Sequence, residues 1–210
     1  MPKINAERLL NDLKTLRSIG AVETGVVRPA LSEKDLEARR WLKKRFEEAG
    51  LDTTLDGVAN VLGRSRKNGP ALIVGSHSDT QPRGGWLDGA LGVIYGLEVA
   101  RALAEDPETS DLAVDVISWQ DEESRFYGCI GSRSWIGTLD PEVEANATDR
   151  DGVKLTDALK DAGLTDVPRL RMEEGRYVGY LEAHIEQGAW LEEAGEQIGV
   201  VTGIVGIRGM

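Results

Sequence analysis

Near its N-terminus the chain carries apolar side chains at the spacing of amphipathic α-helices. The apolar positions of the first predicted helix fall near one face: Ile4, Leu9, Leu10, Leu13 and Leu16. A second helix is predicted to begin after Ser32, a favourable N-cap residue, and to end at Gly50, a favourable stop. Two helices therefore precede the first strand-like pattern.

From residue 51 onwards, short apolar runs typical of β-strands appear. Residues 51–62 are strand-like with turns, and 71–75 form a short apolar run, as in a strand buried on both faces. A helix over 90–104 and a strand over 112–119 follow. This alternation predicts an α/β fold with a mixed, largely parallel sheet.

The rest of the chain predicts three further elements. Residues 154–162 are helix-forming, and 177–184 form a strand-like run that ends at a histidine. Residues 198–207 are rich in Val, Ile and Gly, which predicts a final strand.

Composition limits the class of protein to which the chain can belong and the kinds of partner that it can bind. Hydrophobic residues make up 40% of the chain, enough for a sizeable core, and the net charge of −11 disfavours nucleic acids and anionic membranes as partners. No apolar run approaches the ~20 residues of a membrane-spanning helix. Cys129 is the only cysteine, so no intrachain disulfide can form, which suits a reducing compartment. We therefore expect a cytoplasmic protein.

The chain has only 2 histidines, and both stand among carboxylates. His77 and Asp79 come just past the predicted strand 71–75, and His184 ends the strand-like run 177–184. Open α/β sheets bind ligands in the crevice beyond the carboxyl ends of their strands. Because imidazole and carboxylate are ligands of zinc and similar divalent metals, this pattern predicts a metal-dependent hydrolase.

Each acidic residue near the predicted crevice also has an ordinary structural interpretation. Asp79 could cap a turn, and Asp88 could be the N-cap of the helix that starts near Ala90. Glu122 and Glu123 could form a solvated acidic turn, or one could bind a metal while the other accepts a proton. A functional site is favoured because these groups all stand where strands are predicted to end.

At these residues the chain resembles a known family, the N-carbamoyl-L-amino-acid hydrolases, with their close relatives allantoate amidohydrolase and β-ureidopropionase. The family belongs to the wider di-zinc aminoacylase and carboxypeptidase class. The segments that carry the resemblance are 75–80, 84–93, 121–126, 131–133 and 184–188, flanked by 25–28 and 201–208. The resemblance covers essentially the whole chain, and it implies a zinc-exopeptidase-like catalytic domain.

The resemblance also implies a set of site residues. His77 and His184 would bind one metal, Asp88 would bridge two metals, and Glu123 would bind the second. Glu122 would be the general base. A histidine at position 184, where many members of the wider class carry a carboxylate, points to the carbamoyl-hydrolase branch.

Two further residues have supporting roles by resemblance. Asp79 would orient His77 or Glu122, and Gln187 would contact the substrate. The cofactors would be two divalent ions, with zinc expected and manganese, cobalt or nickel suited to similar ligands.

The implied reaction is hydrolysis of a linear carbamoyl or ureido amide bond in a small molecule, which turns an N-carbamoyl-L-amino acid into amino acid, ammonia and carbon dioxide. An allantoate or other amide hydrolase of the same class is an alternative. A catalytically inactive metal-binding fragment, or a subunit completed by a partner, is an alternative of a different class.

The chain departs from the family pattern in composition and in length. Asp121 and Ser124 replace the Asn and Gly usual around the paired glutamates. Family members are much longer, with a lid and dimerisation domain after the position of Arg208 and a last metal-binding histidine beyond it. We therefore expect residues 1–210 to be the N-terminal part of a catalytic domain, without the usual dimer contact and with little activity alone.

Overall fold

The computed structural model describes residues 1–203, which fold into alternating helices and strands. In chain order the elements are α1 (Ala6–Ser18), β1 (Ala21–Val22), β2 (Gly25–Val26), α2 (Glu33–Glu48), β3 (Asp52–Leu55), β4 (Val61–Arg64), β5 (Ala71–His77), α3 (Ala90–Glu105), β6 (Ala113–Trp119), α4 (Ile130–Ile136), α5 (Pro141–Asn146), α6 (Leu155–Asp161), β7 (Tyr177–Leu181) and α7 (Trp190–Ala194).

A 5-stranded mixed sheet with the order β3-β4-β6-β5-β7 forms the centre of the fold. The β3–β4 and β4–β6 pairs are antiparallel, whereas β5 pairs in parallel with both β6 and β7. The predicted α/β fold with a mixed sheet is thus confirmed. Because β5, β6 and β7 run the same way, their carboxyl ends meet at one edge of the sheet.

The first three long helices cover one face of this sheet. Ser32 caps α2 as predicted, since its side chain accepts a hydrogen bond from the Asp35 N–H. The apolar core beneath these helices includes Leu16, Leu42 and Leu97, each with no exposed surface. Within residues 1–203, no helix is both long enough and apolar enough to cross a membrane.

Aromatic residues cover the opposite face of the sheet. Trp119 packs against Trp135 with ring centroids 5.2 Å apart, and Trp135 packs against Tyr177 at 5.3 Å. Tyr180 lies against Trp119 at 6.2 Å. Alternate residues of a strand point to opposite faces, so β6 supplies Trp119 here and Val116 to the helical side. The sheet is therefore buried on both faces at its centre.

Two predicted strands differ from the structure. The run 177–184 forms a strand only as far as Leu181, because its pairing with β5 ends where Val74 lies opposite Leu181. The predicted strand 198–207 does not form over 198–203, and 204–207 lie outside the described residues. A strand requires backbone partners, and within the described chain no strand lies beside 198–203, so apolar composition was not sufficient.

Candidate metal centre

The two histidines and Asp88 meet at the carboxyl edge of the parallel strands. His77 is the last residue of β5, His184 lies beyond the end of β7, and Asp88 stands just before α3. Each offers one ligand atom, and these atoms all lie within 4.8 Å of one another. Nε2 of His184 is 3.1 Å from Oδ1 of Asp88, and Nε2 of His77 is 4.0 Å from the same oxygen.

Asp88 Oδ1 is a buried oxygen that accepts no hydrogen bond from any residue in the described part of the chain. A buried carboxylate oxygen without a partner is costly, and in native proteins such an atom has a specific explanation. Here it faces two imidazole nitrogens. Two histidines and one aspartate are a ligand set that suits zinc or a similar divalent ion, so the residues fit the metal that the sequence predicts.

Backbone carbonyls orient both imidazole rings. Nδ1 of His77 lies 3.0 Å from the Asp79 carbonyl oxygen, and Nδ1 of His184 lies 2.7 Å from the Ile185 carbonyl oxygen. A carbonyl can only accept, so Nδ1 carries the proton in both rings. In the neutral form of each ring, Nε2 then offers its lone pair, which is the form in which a histidine binds a metal.

Asp88 does not cap α3. The N-cap is Gly89, and no side chain makes a capping hydrogen bond there, so the interpretation of Asp88 as a helix cap is wrong. Gly89 has φ +61°, and a Cβ added to it would lie 2.4 Å from Nε2 of His77. A glycine is needed at this position because the backbone passes directly against the imidazole ring.

Asp79 is completely buried and connects β5 to the next loop. Its Oδ2 accepts a hydrogen bond of 3.1 Å from the Glu123 N–H, so it does cap a backbone amide. Its Oδ1 lies 3.5 Å from Arg39 and 3.9 Å from Nδ1 of His77. Burial raises the pKa of Asp79. The residue supports the His77 ring through its backbone carbonyl, while its carboxylate holds the loop that carries Glu122.

The paired glutamates separate in the structure. Oε2 of Glu122 is 3.5 Å from Nε2 of His77, and partial burial raises the pKa of Glu122. Glu123 turns away, and its Oε2 accepts a hydrogen bond of 2.7 Å from Gln81. The structure thus brings Glu122 to the metal cluster but leaves Glu123 outside it.

A tight loop turns Glu122 toward His77. Asp121 and Ser124 have φ of +53° and +61°, in the left-handed region that favours Asn and Gly. The Asp121 carboxylate is buried and accepts hydrogen bonds from the backbone N–H groups of Phe126, Tyr127 and Gly128. Asp121 and Ser124, the two departures from the family pattern, thus both stand at left-handed positions of this turn.

Gln187 contacts a predicted metal ligand. Its Nε2 donates a hydrogen bond of 2.8 Å to Oδ2 of Asp88. Asp88 is therefore bound on one oxygen by Gln187 and faces the histidines with the other. The substrate contact expected of Gln187 stays a prediction.

Two buried arginines near the site were not predicted. Arg28 donates a hydrogen bond of 2.7 Å to the Ser78 carbonyl oxygen, and burial lowers its pKa to about 10. Arg39 has no exposed surface and bonds Asp35 and the Trp119 carbonyl oxygen. A single arginine in a sequence carries no signal of burial, because most arginines are exposed.

Glu182 was also not singled out in the sequence. Its carboxylate accepts hydrogen bonds from the side chains of Ser76 and Tyr180. A signal did exist, since Tyr180, Glu182 and His184 alternate and would share one face of an extended chain.

Comparisons with known proteins show which proteins this chain is similar to. The model of Peptidase family M28 matches residues 58–161. An N-carbamoyl-L-amino acid amidohydrolase from Geobacillus stearothermophilus is 38% identical, and the match covers 97% of this chain and 52% of that protein. An allantoate deiminase from Arabidopsis thaliana is 36% identical, over 92% of this chain and 39% of its own length.

The fold agrees with that of a solved relative. The crystal structure of an amidase of the hydantoinase/carbamoylase family from Burkholderia phymatum superposes with a TM-score of 0.91 and 56% sequence identity, over 93% of this chain and 48% of that one. The chain spans about half the length of the curated relatives it matches, such as the Geobacillus protein at 52%. The chain belongs to the N-carbamoyl-L-amino-acid and allantoate amidohydrolase family.

Proposed function

We propose that this chain supplies the metal-binding centre and general base of a hydrolase that cleaves linear carbamoyl or ureido amide bonds. The observation that carries the proposal is the cluster of His77, Asp88 and His184, in which no residue of 1–203 donates a hydrogen bond to the buried Oδ1 of Asp88. The names of the Geobacillus and Arabidopsis relatives support the type of bond. An N-carbamoyl-L-amino acid is the proposed substrate.

Glu122 is the proposed general base. His77, Asp88 and His184 would hold a divalent ion, which would supply Lewis acidity to polarise a carbonyl oxygen and to make a nearby water more acidic. Glu122 Oε2 takes a proton from the attacking water, whose oxygen bonds to the carbamoyl carbon. One C–N bond of that carbon then breaks, and Glu122 returns the proton to the departing nitrogen. Partial burial raises the pKa of Glu122, which makes its carboxylate a stronger proton acceptor.

A second divalent ion has less support than the first. It would be held by Asp88 and Glu123, but Glu123 bonds Gln81 and lies outside the cluster. We therefore expect the chain to bind one ion firmly and to bind a second only weakly. Weak binding of the second ion is one reason to expect little turnover from this chain alone.

Hydrolysis of allantoate is a second candidate activity, supported by the 36% identity to the Arabidopsis allantoate deiminase. Both substrates present a carbamoyl carbon between two nitrogens, so the same metal and base serve either one. An inactive metal-binding fragment and a partner-dependent subunit remain alternatives of another class.

Metal binding is tested first. Equilibrium dialysis of the chain against zinc, with elemental analysis, is expected to give one tightly bound ion. His77→Ala and Asp88→Ala should each lose most of it, whereas Glu186→Ala, which alters a neighbouring exposed carboxylate, should not. Unchanged stoichiometry in both site variants would refute the metal centre.

Activity is tested by ammonia release from N-carbamoyl-L-amino acids and from allantoate, with zinc or manganese present. We expect little release by the chain alone. A chimera in which residues 1–203 replace the matching part of the Geobacillus relative should release ammonia, and Glu122→Gln in that chimera should lower the rate by about 10²–10⁴-fold. A folded, metal-loaded chimera inactive on both substrates would contradict the proposed activity and favour the inactive-fragment alternative.

A further inference from the structure

His184 lies beyond the hydrogen-bonded part of its strand. The β5–β7 ladder ends at the pair Val74 and Leu181, so backbone pairing does not reach His184. The His184 side chain is 34% exposed, and its ring is therefore not fixed by burial. A metal ligand has to be held to within about 0.2 Å of its position, which requires other contacts here.

Glu182 supplies contacts where the ladder stops. Its Oε1 accepts a hydrogen bond from the Ser76 hydroxyl, and Ser76 is the residue before His77 on β5. Its Oε2 accepts a hydrogen bond of 2.7 Å from the Tyr180 hydroxyl. The carboxylate thus fastens the segment that leads to His184 onto the strand that ends at the other histidine.

The Tyr180 hydroxyl is itself fixed from the aromatic side of the sheet. It accepts a hydrogen bond of 3.1 Å from Nε1 of Trp119, the last residue of β6. It has a single proton, and two acceptors lie near, the Gly75 carbonyl oxygen at 3.1 Å and Glu182 at 2.7 Å. The proton goes to the carboxylate, because that contact is shorter and its acceptor is charged.

These hydrogen bonds form a continuous series from Trp119 through Tyr180 and Glu182 to Ser76. The series joins the carboxyl ends of β6, β7 and β5, the three parallel strands that border the site. Helix α3 packs against the segment that leads to His184. Its backbone at Gly92 passes so close that an added Cβ would lie 2.5 Å from the Ala183 carbonyl oxygen.

We propose that Glu182, held by Tyr180 and Ser76, is a positioning residue that fixes His184 as a metal ligand. This inference rests on the metal centre assigned under the proposed function. It predicts that removing one hydrogen bond of this series weakens metal binding, although Glu182 itself binds no metal. Loss of an outer partner of a metal ligand typically lowers affinity by about 10–100-fold.

The test measures zinc affinity of the 210-residue chain by competition with a chelating dye. Tyr180→Phe removes one hydroxyl and no charge, so a change in affinity reports position rather than electrostatics. Glu182→Gln removes the carboxylate, and Glu186→Gln is its matched control, because it removes the same charge on the other side of His184. Thermal unfolding in chelator, together with the visible spectrum of the cobalt-loaded protein, separates lost stability from altered coordination.

We expect Tyr180→Phe and Glu182→Gln to weaken zinc binding by at least about tenfold and to alter the cobalt spectrum, with the metal-free unfolding temperature kept. Glu186→Gln should leave zinc affinity unchanged. Unchanged affinity in Tyr180→Phe, with equal losses in Glu182→Gln and Glu186→Gln, would show an effect of charge only and overturn the inference. His184→Ala separates the two proposals: if it also keeps zinc, the metal centre is wrong, and if it loses zinc while Tyr180→Phe does not, only the positioning role fails.

Discussion

Replacing Gly89 by alanine should destroy the proposed metal centre although none of the proposed metal-binding residues is replaced. The added Cβ would lie 2.4 Å from Cδ2 and Nε2 of His77, whereas ordinary contact begins at 3.4 Å. The ring therefore has to move by about 1 Å, several times the ~0.2 Å that ligand distances tolerate. Helix α3 begins immediately after Gly89, so the backbone cannot easily move away instead.

Two losses follow from this clash. Zinc affinity should fall by at least the ~10–100-fold that accompanies loss of an outer partner, because here a direct ligand is displaced. The free energy of unfolding of the metal-free protein should fall by about 1–3 kcal/mol, since alanine at a φ of +61° is strained.

Gly85→Ala is the matched control. Gly85 lies in the same loop, has no positive φ, and an added Cβ would meet nothing within 4 Å. Zinc titration and urea unfolding of both variants decide the matter, and Gly85→Ala should change stability by less than about 0.5 kcal/mol. If Gly89→Ala bound zinc as tightly as Gly85→Ala, the placement of the His77 ring against this loop would be refuted.

Four other substitutions test the loop and the buried network beside the site. In the active chimera, Glu122→Gln should keep its zinc content and lower turnover, whereas Glu123→Gln should lower only the content of a second ion. Elemental analysis and ammonia release measure these two quantities. Normal turnover of Glu122→Gln would disprove the role of Glu122 as general base. Ser124→Gly should raise the free energy of unfolding, measured in urea, by about 1 kcal/mol. The reason is that Ser124 has a left-handed backbone conformation and makes no side-chain hydrogen bond in the described chain. No gain in stability would argue against the left-handed conformation at Ser124. Arg39→Ala should lower the free energy of unfolding by about 3–5 kcal/mol in the same assay, because it removes the cation paired with the buried Asp35 carboxylate. Replacement of the exposed Arg40 by alanine should change it little. Equal effects of the two substitutions would contradict the burial of Arg39.

Apolar patterns within single segments predicted several of the helices and strands. Helix α2 starts after Ser32, as its N-cap signal predicted, and β5 contains the apolar run 71–75. Such elements are visible in the sequence because their burial depends on spacing along a single segment. The failed strand at 198–203 had the composition of a strand, but a strand also needs a neighbour, which composition does not reveal.

The residue types of the proposed metal centre could be named from the sequence because metal chemistry allows few of them. With 2 histidines in the chain, His77 and His184 were the imidazole candidates from the outset. The assignment of Asp88 was harder, since an aspartate before a helix is more often a cap. Only the structure separates the two roles, by placing the cap at Gly89 and turning the carboxylate toward the histidines.

The residues that hold the site in place escaped prediction for a different reason. Any hydrogen-bonding side chain can position a ligand, so chemistry does not restrict the choice as it does for a metal. Their contacts are also distant in sequence: Ser76 and Glu182 are 106 positions apart, and Arg39 and Gln120 are 81 apart. Such pairs form only after the sheet has assembled, since the strand order that brings β5 beside β7 determines which side chains meet. Residue type therefore indicates which side chains could bind a metal, whereas the strand order determines where those side chains lie. Variants of Tyr180 test that placement, because they change a contact between strands and leave both histidines in place.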